Sequence, residues 1–292
     1  MTIDAHVHLW EAGSLQTQWM DKPPYRGDPK WQPLRASFRP EDLQALMEAN
    51  SIDGAVLVEA VDDLKETGAL LEIARAHDWV AGVVGWLPLA NANALEAALD
   101  RVGDNAALVG ARHLINTEPD PDWVLQDTVI AGLNRITQAG LSFDYIGLSM
   151  DHLERVPRLA DACPALTIVL DHLNNPPIAE GAFEPWADLL GKAAERPNVV
   201  GKISGLEMCC RWGDWTAEDW RPYVDHALAC FGPDRLMLGS NWPVSTLSGG
   251  YAQVWAAHRA WLSGLSETEQ TAIASATARR VYARNELSRD GA

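Results

Sequence analysis

Ile3-Asp4-Ala5-His6-Val7-His8-Leu9 is the stretch that decides the reading of this chain. It sets two histidines two residues apart in an apolar, partly β-branched run. Side chains of a strand alternate faces, so His6 and His8 point the same way, about 7 Å apart. Asp4 is expected one step behind them on that face. In a strand lining a barrel, both imidazoles would project into the mouth, where they can hold a metal, polarise a carbonyl or move a proton. The plain alternative is an edge strand with two exposed histidines. The rest of the chain favours the first reading.

Beyond 2–9, strand-like runs recur at 53–60, 80–88, 107–115, 141–147, 166–172, 198–204 and 235–241. Most are short and apolar or β-branched, such as Gly54-Ala55-Val56-Leu57-Val58 and Leu166-Thr167-Ile168-Val169-Leu170. Such runs fit strands buried on both faces. Helical segments are expected at 40–50, 66–77, 92–102, 128–139, 153–162, 183–195, 217–231 and 266–282. Eight alternating pairs in 292 residues predict an α/β chain folded as one (β/α)8 TIM barrel over 1–292. An open doubly wound sheet is the alternative. No Gly-x-Gly-x-x-Gly follows the first strand to support a dinucleotide site. Residues 10–39 form a long loop rich in Pro, Trp and charge, including Pro23, Pro24 and Arg26. After the first strand of a barrel it would lie over the catalytic face as a lid. It is expected to lend the pocket an aromatic from Trp19, Tyr25 or Trp31.

The net charge of −17 argues against nucleic acid or an anionic membrane surface as partner. An anionic substrate would have to be met by local cations. No apolar run reaches the roughly 18 residues of a membrane span. The first strand begins at residue 3, so no signal peptide is expected. Cys163, Cys209, Cys210 and Cys230 lack C-x-x-C spacing and read as reduced, which predicts a cytoplasmic protein. The thirteen tryptophans offer flat area for a sugar ring or for the core, and the core is the better reading for most of them.

Polar residues at the C-terminal ends of barrel strands converge on one site. Here the strand ends carry His6 and His8, Glu59, Arg112 and His113, Asp144, Asp171 and His172, Lys202 and Ser204, and finally Ser240-Asn241-Trp242-Pro243. By strand parity Glu59 shares a face with Leu57 and can point inward. It can equally form a structural ion pair with Arg112 or Lys202.

Six motifs carry a resemblance: D-A-H-V-H-L-W at 4–10, G-A-R-H at 110–113, L-S-F-D at 141–144, L-D-H-L at 170–173, G-K-I-S-G-L at 201–206 and G-S-N-W-P-V at 239–244. Together they resemble the amidohydrolase-related barrel hydrolases. The branch is that of sugar lactonases such as L-fuconolactonase and L-rhamnonolactonase, with 2-pyrone-4,6-dicarboxylate lactonases nearby. The resemblance implies a small-molecule hydrolase opening an aldonolactone. His6, His8 and His172 would be the electrophilic cluster, with or without Zn²⁺. Arg112, His113, Lys202 and Trp242 would hold the substrate.

One motif departs from the family. Its last motif reads G-S-D-W-P-V, and Asn241 stands where the family has a base or metal-ligating Asp. A neutral amide takes no proton from water and is a poor anionic ligand. Three readings follow. Glu59, where the resemblance implies a neutral Gln, or Asp144 serves as water base instead. Asn241 is a laboratory substitution that traps substrate. Or the chain has become a sugar-acid or lactone binder. No metal is then strictly required, and one divalent ion at His6 and His8 would bind weakly. A metal-dependent decarboxylase or C–N hydrolase on a similar barrel is the other enzyme reading.

Overall fold

The computed structural model describes residues 1–22 and 25–283. Eight strands form one parallel sheet in chain order: β1 (Ile3–Val7), β2 (Gly54–Val58), β3 (Val80–Trp86), β4 (Leu108–His113), β5 (Ser142–Tyr145), β6 (Ile168–Leu170), β7 (Val199–Ile203) and β8 (Leu236–Leu238). A bridge between Val7 and Trp242 brings the two ends of the sheet together. Asn241 N–H donates to the His6 carbonyl at 2.9 Å, and His8 N–H to the Trp242 carbonyl at 2.7 Å. The architecture is the expected α/β barrel.

The strands are apolar because both their faces are covered. Ala5, Val56, Val58, Val84, Val169, Val200 and Met237 pack together inside the ring. Ala55, Leu57, Val83, Ile168 and Leu236 face the helices. The helix Ala92–Val102 shows the logic. Leu95, Ala98, Leu99 and Val102 fall on one buried stripe, and the Asn91 side chain accepts from Ala94 N–H at 3.1 Å as N-cap. Each such leucine contributes about 1.5–3 kcal/mol by burial.

Two sequence expectations need correction. The eighth outer helix is Tyr251–Leu262, which the pattern missed because aromatic and apolar residues occur around most of its circumference. The segment expected at 266–282 is helical, but it does not stand in the outer ring. Its Ala278, Val281 and Tyr282 join the interior cluster. Asp4 also leaves the face of the two histidines. The pairing register shifts between Asp4 and Val7, and this bulge breaks the alternation. The Asp4 carboxylate instead accepts from the backbone N–H groups of His6 at 3.2 Å and Ser240 at 2.8 Å.

The loop 10–39 contains two 3-10 helices, Leu15–Asp21 and Pro29–Arg35. Its ends are clamped where Trp10 and Phe38 exchange backbone hydrogen bonds. Pro23 and Pro24 lie outside the described residues. Among the described residues, no helix is long and apolar enough to cross a membrane.

Candidate active site

A cavity of about 220 Å³ opens at the C-terminal ends of the strands. Its floor is polar: His8, Arg112, His172 and Asn241. Its wall is mostly apolar, built by Trp10, Trp19, Tyr25 and Trp31 from the 10–39 loop and by Ile146, Met208 and Val244, with Asn116, Thr117 and Asn175 between them. Trp19, Tyr25 and Trp31 meet edge to face, with ring centroids 4.8–5.6 Å apart. Trp31 continues to Trp212 at 5.2 Å.

The three histidines converge. The His6 ring lies 4.9 Å from His8 and 4.6 Å from His172, centroid to centroid. His6 has room because Gly239 lacks a side chain; a Cβ there would sit 2.8 Å from His6 Cβ. The Nε2 atoms of His6 and His8 are 3.2 Å apart, and His8 Nδ1 donates to the Val58 carbonyl at 2.8 Å. Burial pushes His8 down to about 3 and His172 to about 4, while Asp171 opposes the fall at both. All three imidazoles are neutral at pH 7, because burial holds His6 well below its ordinary value too.

Two proton arrangements satisfy this pair. In one, the Lys202 ammonium donates to His6 Nδ1 at 3.2 Å, and His6 Nε2–H points to His8 Nε2. In the other, His6 Nδ1–H faces Asp171 Oδ1 at 3.2 Å, and both Nε2 lone pairs converge. The second arrangement supplies two corners of a tetrahedral ion with Zn–N bonds of about 2.0–2.1 Å. No third corner completes it: among the described residues, no cluster of three or more His, Cys, Asp and Glu is gathered for a metal. The Arg112 guanidinium also lies 3.5 Å from His6 Nε2.

Below the floor runs a buried ionic column. Asp171 joins both cations, Arg112 Nη1 at 3.2 Å and Lys202 Nζ at 2.9 Å. Burial raises the Asp171 pKa, but Lys202, His6 and Arg112 outweigh it and hold the carboxylate well below its usual range. Lys202 also reaches Asp144 at 2.6 Å, where Tyr282 donates its hydroxyl at 2.7 Å. Arg112 Nε meets Glu59 Oε1 at 3.0 Å, and its Nη2 donates to the Glu59 carbonyl. Three carboxylates therefore share two cations. Burial raises Asp144 and Glu59, the latter to about 7, and their cations recover only part of that shift.

His172 and Asn241 sit in left-handed backbone, with φ of 57° and 54°. His172 opens a run of four such residues through Asn175. A non-glycine residue there costs about 1–2 kcal/mol. The run is pinned by His172 Nδ1 and Ser204 Oγ at 2.8 Å, by Trp186 Nε1 to the Leu173 carbonyl at 2.9 Å, and by Asn174 Nδ2 to the Ser149 carbonyl at 2.9 Å. With Nδ1 engaged, Nε2 is the His172 nitrogen left for the pocket.

The amidohydrolase family profile matches residues 3–284. The chain belongs to the amidohydrolase family. It is 31% identical over 268 residues to an L-fucono-1,5-lactonase of Burkholderia ambifaria, covering 89% of this chain and 85% of that one. A second L-fucono-1,5-lactonase, from Burkholderia multivorans, is 31% identical over 296 residues, covering 97% and 96%. An amidohydrolase of Burkholderia multivorans crystallised with bound zinc has the same fold, with TM-score 0.88 and 30% identity over 97% of this chain and 99% of that one.

Set against this family frame, several expected site residues stand elsewhere. Glu59 and Asp144 are fully buried counter-ions and do not line the cavity, so neither meets a water there. Lys202 is likewise sealed beneath His6. His113 neighbours Arg112 on β4, and strand alternation turns it away. It stacks on Trp123 at 4.0 Å and bonds Glu118 at 2.7 Å. Trp242 is buried edge-on against Phe38. Asp171 is read at a strand end but given no role by the sequence, and Glu207 is not among the expected site residues at all. Asp171 shares the inward parity of Val169, which was a usable signal. Glu207 announces itself only as a lone charge in the apolar run Leu206-Glu207-Met208-Cys209-Cys210.

Proposed function

We propose that this chain is a lactonase that opens a small sugar lactone in the floor-and-wall cavity. The observation that carries this reading is the floor itself: neutral imidazoles beside a buried, permanently charged guanidinium, under an aromatic wall. The 31% identity to two L-fucono-1,5-lactonases supports it. Aromatic faces pack against a pyranose ring. The net charge of the chain repels anions, and a neutral lactone is unaffected.

Water adds to the lactone carbonyl, the ring C–O bond breaks, and the ring oxygen takes a proton as the alcohol. The product is a hydroxy acid that releases one proton to solvent. His172 Nε2 accepts the water proton and returns it to the leaving oxygen. Arg112 and the Asn241 amide face the charge that grows on the carbonyl oxygen. His8, fixed by Val58, orients the reacting group. A divalent ion held at His6 and His8 would add Lewis-acid polarisation of that carbonyl. A sugar-acid binder without turnover is the second reading, favoured by the neutral Asn241.

The test is a panel of aldono-1,4- and 1,5-lactones, with proton release followed in weak buffer. Turnover of at least one member is expected. Binding of lactones without acid release would overturn the reading in favour of the binder.

A further inference from the structure

Behind Asn241 lies a buried carboxyl that the reaction above does not use. Glu207 sits in a four-residue helical turn, Leu206–Cys209, and is fully buried. Its neighbours Gly205 and Met208 line the cavity, as does Asn241. Gly205 adopts φ 65°, and a Cβ there would lie 2.7 Å from His172 Nδ1 and 3.2 Å from Asn241 Nδ2. The turn is therefore pressed against both pocket residues. Ser248 Oγ anchors it by donating to the Glu207 carbonyl at 3.0 Å. The Glu207 carboxyl lies beside the Asn241 amide, and neither of its oxygens has a partner at ordinary hydrogen-bond geometry. A buried polar atom without a partner costs about 1–3 kcal/mol, so such a group calls for an explanation.

We infer that Glu207 is the positioning residue of Asn241: its carboxyl decides which end of the amide faces the substrate. An amide has a donor end and an acceptor end, and a carboxyl can address either. As a neutral acid, Glu207 donates its O–H to Asn241 Oδ1, and the NH2 group turns to the cavity. As a carboxylate, it captures the NH2 group, and Oδ1 turns to the cavity. Only the first state offers a donor to the oxyanion of lactone opening, so this catalytic consequence rests on the lactonase reading. The orientation itself does not.

The surroundings favour the neutral acid. Burial pushes Glu207 up to about 8, its own backbone N–H and then Asn241 pull it part of the way back, and the nearby Asp4 carboxyl adds to the rise. The other titratable groups around the turn are His172, neutral at pH 7, Cys209 and Cys210, both raised by burial, Glu180 near Cys209, and Tyr251 beside Asp4. None supplies a cation to hold Glu207 ionised. The sign follows. Below about pH 8 the acid is protonated and the donor faces the lactone; above it the acceptor does, and kcat falls.

The experiment pairs a measurement that needs no substrate with one that does. In protein labelled with 15N-asparagine, the Asn241 side-chain resonance is identified by its loss in Asn241→Ala and followed from pH 6 to 9. A shift with a midpoint near 8, absent in Glu207→Gln, is the expected result. In pH–rate profiles, Glu207→Leu should lower kcat about tenfold with KM within about threefold. Glu207→Gln, whose own NH2 can donate to Oδ1, should recover most of that loss and abolish the alkaline fall. An Asn241 resonance that does not titrate, together with a Glu207→Gln profile that keeps the wild-type alkaline limb, overturns the inference. Should Glu207→Leu fail to fold, those two readouts decide alone. A titrating resonance in a protein that opens no lactone would sink the lactonase reading and leave the Glu207–Asn241 pairing standing.

Discussion

The floor of the cavity and its outer wall hold their side chains by different means. Floor residues stand on strand ends over a column locked by charge, in which Arg112 grips Glu59 and Asp171, and Lys202 grips Asp144 and Asp171. Wall residues come mostly from the 10–39 loop, Trp19 and Trp31 on its short 3-10 helices, and are locked by one another, through edge-to-face rings and the Trp10–Phe38 clamp. A floor side chain cannot leave without stranding a buried partner. A wall side chain leaves only a smaller surface. The difference assigns folding and chemistry to the floor and occupancy of the cavity to the wall.

The largest effect is expected at Lys202→Met, which leaves Asp144 and Asp171 short of their shared cation. Unfolding in urea should show a loss of about 3–5 kcal/mol, the cost of breaking a buried pair from one side. A loss under about 1 kcal/mol would break the distinction at its base. Next comes His172→Ala. It should lower kcat for a good lactone about 10²-fold or more, as removal of a general base does. Far less stability should be lost than at Lys202, because Ser204 Oγ is a small partner to leave behind. A change in KM alone would move His172 from floor to wall in function.

On the wall, Trp31→Ala should raise KM about tenfold and leave kcat within about threefold, since it removes ring area and no reacting group. A collapse of kcat instead would show that the wall takes part in the chemistry. The smallest effect is expected at Lys30→Ala. Lys30 Nζ stands 5.8 Å over the Trp212 ring, and an exposed contact of that kind is worth about 0.5–1 kcal/mol. KM should move by less than about threefold. This variant sharpens the comparison by marking where the wall ends.

The fold was legible because parallel strands buried on both faces leave apolar runs such as Gly54–Val58. The eighth outer helix was not, because Tyr251–Leu262 lacks a polar face to give a period. In the site, Arg112 and His172 could be read from strand ends. Arg112 and His113 cannot both look into the barrel, and alternation alone should have removed one. Asp4 departs from simple alternation for a subtler reason: a register shift inverts parity, and nothing in Ile3-Asp4-Ala5 announces one. Parity groups Glu59 with Leu57, yet Val56 and Val58 fill the interior. Glu59 lies beyond the strand end, where alternation no longer applies. The pairing of Glu207 with Asn241 depends on contacts between distant segments, which no local pattern encodes.

The seam between β1 and the residues after β8 has a consequence for biosynthesis. The hydrogen bond from Ser240 to Asp4 spans 236 residues at 2.8 Å. His6 and His8 leave the ribosome long before the partners that seat them. A nascent chain halted before Leu236 carries both histidines, Arg112 and His172, yet has no closed ring to align them. Contacts this distant in sequence form late and slowly. The site is therefore aligned only once β8 and the residues after it have been made, and a product truncated before Leu236 lacks that alignment.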